Sequence, residues 1–436
     1  MLLDNIREQF DNAPYPRNPL EQTPEGDYNE LFVHSLVTPY YLRDRRVVST
    51  QDKVILDAGC GTGYAALTLA IANPGAKIVG IDLSPESIKL ARQRLTYHGF
   101  TNAEFHAMSI EDLPSLGLEF DYINCDEVLY LLPDTLGGLQ AMNAVLKPTG
   151  IIRANLHNAV QRDGFYRAQT VFKMLGLMDG SPGDAEIKTV IETMQALKPE
   201  VKLRDQTWRP EHALPAYEGN VRVNYLLLGD KGFSMTDLFN LLDQTGLDLL
   251  SMVNWRHWQV PDLFQDSENL PAFWGMSLMA AEPRHHLRMY ELLHPVNRLM
   301  DFWCTRVGSE WEPPIEQWDE AQWHTARVQL HPQLQAKPIQ AALVDCLKTS
   351  QPFEFTRYID LPAMGTVSLD AVSAACLLPL WEAPQPISAL VHRYLTIHPV
   401  DPLTLEPISS VAAFAIVKQM LNRLDAFLYV LVENSP

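Results

Sequence analysis

The segment LDAGCGTGY at residues 56–64 places three glycines directly after a short apolar run and an acidic residue. The apolar run is typical of a buried strand, and residues 64–72 have the apolar spacing of a helix. Glycines between a strand and a helix allow a tight turn and let a ligand approach the main chain closely. The segment therefore predicts a strand–loop–helix unit whose backbone holds a ligand.

The residues around the loop indicate which ligand it holds. A dinucleotide-binding loop has the pattern G-x-G-x-x-G, which counted from Gly59 requires a glycine where this chain has Tyr64. Asp57, two residues before the first glycine, can pair with an ammonium group, which no dinucleotide carries. Asp82, at the end of the next predicted strand, can accept hydrogen bonds from both hydroxyls of a ribose. This pattern favours S-adenosylmethionine over NAD.

The rest of the chain predicts an α/β architecture. Strands are expected at 54–57, 76–82, 103–107, 120–125 and 150–156, and a helix capped by Ser84 at 85–97. Strands that alternate with helices at this spacing imply a parallel, doubly wound (Rossmann-like) sheet. Further helices are expected at 161–176, 184–197, 234–245 and 409–431, and a further strand at 247–253.

These elements divide the chain into three expected parts. Residues 1–50 form an N-terminal arm and cap helices. Residues 51–283 form the α/β domain, with a helical insertion at about 160–222. Residues 284–436 form a second, mixed domain of accessory or regulatory type, which begins near Pro283 where the sequence becomes rich in Trp and Pro.

The loop and the second strand together resemble the class I S-adenosylmethionine-dependent methyltransferases. The resemblance rests on "LDAGCGTG" at 56–63 and "VGIDLS" at 79–84, covers 53–156 and 224–253, and implies a seven-stranded sheet. It implies an enzyme that uses S-adenosylmethionine and releases S-adenosylhomocysteine. The residues implied to hold the methionine part are Asp57, Ala58, Gly59, Gly61 and Gly63; those implied near the ribose, adenine and sulfonium are Asp82, Leu83, Ser109, Ile110, Cys125 and Asp126.

Catalytic candidates follow from the chemistry of methyl transfer. The sulfonium already activates the methyl carbon, so the protein mainly aligns donor and acceptor and excludes water. Ligands of open parallel sheets gather at the carboxyl ends of the strands, which nominates Asp126, Glu127, Tyr130 and His157. His157 is either a base near neutral pH or a cap on local backbone. Glu127 either aligns an amine acceptor or is exposed on the following helix.

The N-terminal arm is a further candidate. Prolines hold residues 12–19, NAPYPRNP, in an extended conformation. In several methyltransferases a segment in this place closes over the cofactor. Tyr15 then either donates to the methionine carboxylate or lines the path of the acceptor; the alternative is an arm that packs on a neighbouring helix.

The chain also resembles a narrower group, the bacterial methyltransferases with a regulatory-type C-terminal domain that are known for protein-lysine methylation. The matching segments are "PYP" at 14–16, "HAMSIEDL" at 106–113 and "FSMTDLFNLLDQTGLDLL" at 233–250, besides the insertion and the mixed C-terminal domain. Asp126-Glu127 stand where that group is expected to have His-Gly. The resemblance implies an amine acceptor, with a protein lysine as the first choice.

Charge and composition exclude several partners. The chain has 34 basic and 53 acidic residues and a net charge of -19, which opposes binding to nucleic acid or anionic lipid. Enzymes that methylate base amino groups carry [DNS]-P-P-[YFW] after the fourth strand, where this chain has Asp126-Glu127-Val128. It has no run of about 18 apolar residues, and its five cysteines form no ligand-spaced set. We therefore expect no membrane span, no metal and a cytoplasmic location.

Three functions remain open at this point. The first is methyl transfer to an amine, with a protein lysine among the acceptors. The second is methyl transfer to an oxygen, nitrogen or carbon of a small molecule, with the insertion as a lid. The third is an interaction protein that binds the cofactor without catalysis. The assembly is open between a monomer and a homodimer.

Overall fold

The computed structural model describes residues 7–8, 10–11 and 14–434, so the predicted arm residues Asn12 and Ala13 and both ends of the chain lie outside the described residues. The strands are β1 (Val54–Ala58), β2 (Lys77–Asp82), β3 (Glu104–Ala107), β4 (Phe120–Cys125), β5 (Leu146–Asn158), β6 (Gly232–Phe233), β7 (Leu247–Met252), β8 (Leu299–Arg306), β9 (Ala326–Leu330), β10 (Phe353–Glu354), β11 (Ser368–Leu369), β12 (Gln385–Pro386) and β13 (Val430–Asn434). The helices are α1 (Tyr28–His34), α2 (Val37–Asp44), α3 (Tyr64–Ala72), α4 (Pro85–Tyr97), α5 (Thr135–Ala144), α6 (Asp163–Met174), α7 (Asp184–Ala196), α8 (Lys202–Thr207), α9 (Glu218–Tyr225), α10 (Met235–Thr245), α11 (Ala272–Ala280), α12 (Pro283–Leu293), α13 (Glu320–His324), α14 (Lys337–Thr349), α15 (Ala371–Leu377), α16 (Ile387–Ile397) and α17 (Ser410–Asp425).

The central sheet has seven strands in the order β3-β2-β1-β4-β5-β8-β7, and the short β6 pairs with the end of β5. Strands β1 to β5 are parallel, and β8 is antiparallel to both of its neighbours. The order reverses between β1 and β4, and at such a point the carboxyl ends of the strands open a crevice. The doubly wound, seven-stranded sheet expected from the sequence is confirmed.

Local capping signals set the ends of the helices that flank the sheet. Helix α4 begins after Ser84, whose hydroxyl accepts from the Ser87 backbone N–H at 3.0 Å. Helix α10 begins after Ser234 and ends at Gly246, which has a φ of 69°. Both helices therefore lie where the sequence predicts them.

The segment between β5 and β6 folds into the four helices α6 to α9 with a small core of their own. Phe172, Val190, Met194 and Tyr225 are buried together in it. The helical insertion expected from the sequence is therefore a packed unit beside the carboxyl end of β5.

Strand β8 lies beyond the boundary that the sequence predicts near Pro283. It lies inside the sheet between β5 and β7 and pairs with both, and its Trp303 and Cys304 are fully buried. The boundary would thus remove an inner strand, and the α/β unit continues at least to Arg306. No local pattern in the sequence marks this strand, because its antiparallel partners lie about 50 and 150 residues away along the chain.

The C-terminal part has a three-stranded antiparallel sheet, β12-β9-β13, and the hairpin β10-β11. Its core includes Trp318, Trp323 and Tyr429 and also Phe32 and Tyr41 from α1 and α2. The N-terminal helices therefore share one core with this domain. Across the described residues, the helices are all too short or too polar to cross a membrane.

The last helix is shorter than the sequence predicts. Instead of reaching Leu431, α17 ends at Asp425, the chain turns at Leu428 with a φ of 55°, and β13 follows against β9. A short, continuously apolar segment fits a buried strand and a buried helix equally well, so periodicity extended the helix too far.

Candidate active site

A cavity of about 780 Å³ lies at the carboxyl ends of the strands where the sheet order reverses. The glycine loop, the N-terminal arm, the end of β4, helix α9 of the insertion and the segment before β8 line it. The predicted residues that line it are Tyr15, Asp57, Gly59, Gly61, Asp82, Leu83, Ser109, Ile110, Asp126, Glu127, Tyr130 and His157. Ala58 and Cys125 are instead fully buried at the ends of their strands, so their contribution is to pack the floor.

The three glycines of the loop have different roles. Gly59 and Gly61 have φ values of 86° and 48°, and a Cβ at Gly61 would overlap the carbonyl oxygen of Tyr15. A Cβ at Gly63 would lie 2.7 Å from the Cα of Ala91. Gly59 therefore leaves room for the Val128 side chain, Gly61 lets the arm cross close to the loop, and Gly63 lets helix α4 pack against it.

Asp57 presents a carboxylate oxygen without a partner. One oxygen, Oδ1, accepts from the Asn124 amide at 2.9 Å, whereas the buried Oδ2 has no hydrogen-bond partner within the described part of the chain. Burial raises the pKa of Asp57 to about 7, and the neighbouring Asp126 adds to this, against the hydrogen bond from Asn124. A positively charged amino group placed here would satisfy Oδ2 and restore the charge of the carboxylate.

Asp82 is held by two backbone donors. Its carboxylate accepts from the N–H groups of Gly61 at 3.0 Å and Ser84 at 2.8 Å. These bonds fix the orientation of the carboxylate and leave further acceptor positions for two hydroxyls. Nearby, Ile110 is buried in the cavity wall, and Ser109 donates its hydroxyl hydrogen to Glu111. The Ser109 oxygen can therefore accept from a ligand but has already used its donor.

The arm crosses the glycine loop. The Thr62 backbone N–H donates to the carbonyl oxygen of Tyr15 at 3.1 Å, and its hydroxyl donates to that of Pro16 at 2.7 Å. Arg94 from α4 donates to the carbonyl oxygen of Asn18 at 2.8 Å. The arm thus covers the cavity with backbone contacts, while the Tyr15 ring remains exposed at its entrance.

Asp126 belongs to a network beneath the end of β4. Its carboxylate accepts from Arg153 at 3.4 Å and from Asn155, and Arg153 also donates to Asp301 at 2.7 Å. Burial by itself would raise the pKa of Asp126, but Arg153 and the other donors outweigh it and lower the pKa. Asp126 is therefore ionised at neutral pH.

Glu127 projects into the cavity from a left-handed backbone conformation. Its φ is 58°, which is uncommon for a residue with a side chain, and its N–H donates to Asn155 Oδ1 at 2.8 Å. The Tyr130 hydroxyl donates to Glu127 Oε2 at 2.6 Å. Glu127 therefore does not lie on an exposed helix, and of the two placements expected for it this arrangement matches the one in which it faces an acceptor.

Both ring nitrogens of His157 have side-chain partners. Nδ1 lies 2.7 Å from Asp230 Oδ1, and Nε2 lies 2.9 Å from the Arg298 guanidinium. The carboxylate requires a hydrogen on Nδ1, so Nε2 carries the lone pair. Burial lowers the pKa of His157, against the hydrogen bond to Asp230. His157 is thus a neutral imidazole, with its ring stacked on Tyr130 at 3.7 Å, and it does not cap local backbone.

Asp230 and Arg298 also lie at this site, although neither is among the residues predicted from the sequence. Asp230 is a fully buried acceptor for Arg162 at 3.0 Å and Gln169 at 2.8 Å, both from the start of the insertion. In the sequence Asp230 lies in LGDKG, which indicates only a turn. Arg298 lies outside every motif and beyond the predicted domain boundary, so no sequence signal places it at the cavity.

Comparison with known proteins agrees with this geometry. Residues 49–206 match the family described as "Methyltransferase domain". An uncharacterised protein of Synechococcus sp. is 27% identical over 338 residues, which are 76% of this chain and 75% of that protein. The "Ubiquinone biosynthesis O-methyltransferase" of Haemophilus ducreyi is 35% identical over 105 residues, only 23% of this chain and 43% of that protein. This chain therefore matches less than half the length of that enzyme.

A solved structure shares the fold over nearly the whole chain. The structure of PKMT2 from Rickettsia typhi in complex with AdoHcy is 17% identical, has a TM-score of 0.61, and the match covers 97% of this chain and 78% of that one.

The residues of the cavity fit S-adenosylmethionine. The unsatisfied oxygen of Asp57 suits its amino group, the oriented carboxylate of Asp82 suits its ribose, and Gly59 and Gly61 line the same cavity. The chain carries a methyltransferase domain, matched over residues 49–206. Within the described residues, no cluster of His, Cys, Asp and Glu has the arrangement of a metal site.

Proposed function

We propose that this methyltransferase acts on an amine, with the side-chain amine of a protein lysine as the leading acceptor. The observation that carries the proposal is the pair of carboxylates at the end of β4, Asp126 and Glu127, beside the aromatic side chains Tyr15 and Tyr130. Carboxylates and aromatic faces attract an ammonium group and hold it in place. The net charge of -19 also favours a cationic partner.

In this proposal each group at the cavity has a task. When bound, S-adenosylmethionine supplies a methyl group that its sulfonium makes electrophilic. Asp57 holds the amino group of the cofactor, Asp82 holds its ribose, and the arm around Tyr15 excludes water. Glu127 orients the acceptor nitrogen, and His157 Nε2 is the acceptor for the proton that an ammonium must lose before it can attack.

A small-molecule acceptor is the second candidate. The arm and helix α9 line the cavity. Its volume of about 780 Å³ lies within the range of small-molecule pockets, about 300–1,000 Å³. The relatives named as ubiquinone biosynthesis O-methyltransferases favour an oxygen acceptor. His157 would then take the proton of a hydroxyl group.

Two further observations bear on the choice among the three functions. The fold shared with PKMT2 supports membership of the narrower group to which the sequence is similar. Inactive cofactor binding, the third function, would be favoured by a methyl path filled with apolar side chains. Charged side chains, Asp126, Glu127 and Arg298, line that end of the cavity instead.

The test uses the full-length protein with S-adenosylmethionine labelled on its methyl group. Acceptors are a lysine-rich protein, the same protein with its lysines acetylated, and a catechol. We expect label on the unmodified protein and none on the acetylated one, since acetylation removes both the amine nucleophile and its positive charge. Labelling of the catechol alone would support the second candidate, and equal labelling of both protein samples would refute a lysine acceptor.

A pair of variants then locates the acceptor site. Glu127→Gln removes a charge that faces the cavity, while Glu111→Gln changes a nearby carboxylate that lies off its wall. We expect the first to raise the KM for the amine and the second to leave it unchanged. Equal effects would mean that the acceptor does not meet Glu127.

A further inference from the structure

Arg298 places a guanidinium group between Glu127 and His157. It donates to both carboxylate oxygens of Glu127, with Nη1 3.1 Å from Oε2, and the same Nη1 lies 2.9 Å from His157 Nε2. A positively charged side chain of the protein itself thus lies between the Glu127 carboxylate and the His157 imidazole. These are the two groups that we propose to contact the acceptor nitrogen.

The two side chains that the Arg298 guanidinium contacts also have hydrogen bonds to other residues. His157 is fixed by Asp230, which is itself held by Arg162 and Gln169 of the insertion. Glu127 is also bonded to the Tyr130 hydroxyl. The carboxylate and the imidazole would therefore keep their positions without Arg298.

Arg298 itself is exposed to solvent. Its side chain is 46% exposed, whereas those of His157 and Asp230 are 2% and 0% exposed. It also lies in the connection between α12 and β8 and not within a strand or helix. Among these groups, Arg298 is the one that can leave its place with the least loss of buried contact.

We propose that Arg298 is an internal occupant of the acceptor subsite, which closes the space between Glu127 and His157 until the cationic amine of the acceptor displaces it. The inference rests on the proposed amine acceptor. After displacement the ammonium takes over the contact with Glu127, and the lone pair of His157 Nε2 is released for a proton.

The step that follows balances without another reactant. A proton moves from the ammonium to His157 Nε2, which leaves a lone pair on the acceptor nitrogen. That nitrogen forms a bond to the methyl carbon while the carbon–sulfur bond breaks, and the electron pair of the broken bond stays on the sulfur. His157 then returns its proton to solvent.

Two other roles for Arg298 predict different effects of its removal on the KM for the acceptor. If Arg298 bound a carboxylate of the acceptor, its removal would weaken acceptor binding. If it only stabilised the fold, its removal would lower the melting temperature and leave the KM unchanged. Displacement predicts a lower KM, because the acceptor no longer competes with an internal cation.

The decisive variants are Arg298→Ala and Arg298→Gln. Arg284→Ala is the matched control, since Arg284 forms a surface ion pair with Asp243 outside the cavity. We expect the KM for the amine acceptor to fall about three- to tenfold in both Arg298 variants, the scale of one partly exposed ion pair with an added hydrogen bond. The affinity for S-adenosylhomocysteine, which also reports on folding, is expected to stay unchanged.

A second measurement does not depend on turnover. In protein labelled with 15N-histidine, methylammonium chloride is titrated while the His157 resonances are followed, with sodium chloride at equal ionic strength as control. We expect methylammonium to shift these resonances at a lower concentration in Arg298→Ala than in the wild type. Equal titrations, or a higher KM in the variants, would overturn the displacement.

The two proposals fail in different ways. If neither wild type nor variants methylate any amine although they bind the cofactor, the proposed acceptor is wrong, and the methylammonium titration still decides whether Arg298 closes the subsite. If amines are methylated and the KM does not fall in either Arg298 variant, the acceptor stands and the displacement is wrong.

Discussion

The affinity for the cofactor should depend on the ionisation of Asp57. This carboxyl is buried, which raises its pKa to about 7, and Asp126 and Asp82 raise it further, against Asn124 and Arg153. The amino group of the cofactor pairs with the carboxylate and not with the neutral acid. Cofactor binding below pH 7 must therefore release a proton from Asp57, so the affinity for the cofactor falls as the pH is lowered.

The expected change in cofactor affinity follows from the pKa of Asp57. With a pKa of about 7, Asp57 is about 90% ionised at pH 8 and about 10% ionised at pH 6, so the affinity should fall about tenfold between them. The pKa is raised relative to the unfolded chain, so the neutral acid contributes stability to the cofactor-free protein. That stability is complete below pH 4 and is lost as the pH rises through 7.

Calorimetry with S-adenosylhomocysteine between pH 6 and 8 tests this dependence. Two buffers with different heats of ionisation count the protons released on binding. Asp57→Asn is the control, because its amide does not titrate, and we expect it to bind more weakly with a flat pH profile. A flat profile in the wild type, or the same slope in both proteins, would refute the assignment of Asp57.

Three further outcomes are expected. Asp82→Ala should weaken S-adenosylhomocysteine binding by about 1.5–3 kcal/mol in calorimetry, because charged hydrogen bonds to the ribose are lost. An unchanged affinity of this variant for S-adenosylhomocysteine would mean that the ribose lies elsewhere. NAD should not bind to the wild type. Gly61→Ala should displace the arm, since its Cβ would overlap the carbonyl oxygen of Tyr15, and should speed trypsin cleavage after Arg17; equal cleavage rates would show that the arm does not rest on the loop. A chain that ends at residue 283 should lose its cooperative thermal transition and its cofactor binding because it lacks β8, and retained binding would show that the sheet does not need this strand.

The parts of the structure that the sequence predicts well are those with local causes. A serine cap and a following proline fix the start of α4, and the glycines at 59–63 fix the turn because their positive φ values are costly for other residues. Likewise, Asp57 and Asp82 end adjacent parallel strands, so their side chains must reach the same edge of the sheet. The cofactor side of the cavity could therefore be predicted from about thirty consecutive residues.

The parts that it predicts poorly depend on distant segments. Strand β8 is chosen by its partners β5 and β7, and β13 by β9, and no local pattern names those partners. The conformation of Glu127 is another case, because its positive φ is held by Asn155 from the next strand. In each case the deciding contact lies far along the chain.

The same distinction separates the two ends of the cavity. Asp57, the glycine loop and Asp82 at the cofactor end come from one continuous βαβ segment, which lies within the matched methyltransferase domain. The proposed acceptor end combines Glu127 from the segment after β4, His157 from β5, Asp230 from the end of the insertion and Arg298 from the segment before β8. Because four separate segments meet there, a change in any one can alter the acceptor without disturbing the cofactor site. The cofactor can therefore be read from the motif, whereas the acceptor has to be tested at Glu127, His157 and Arg298.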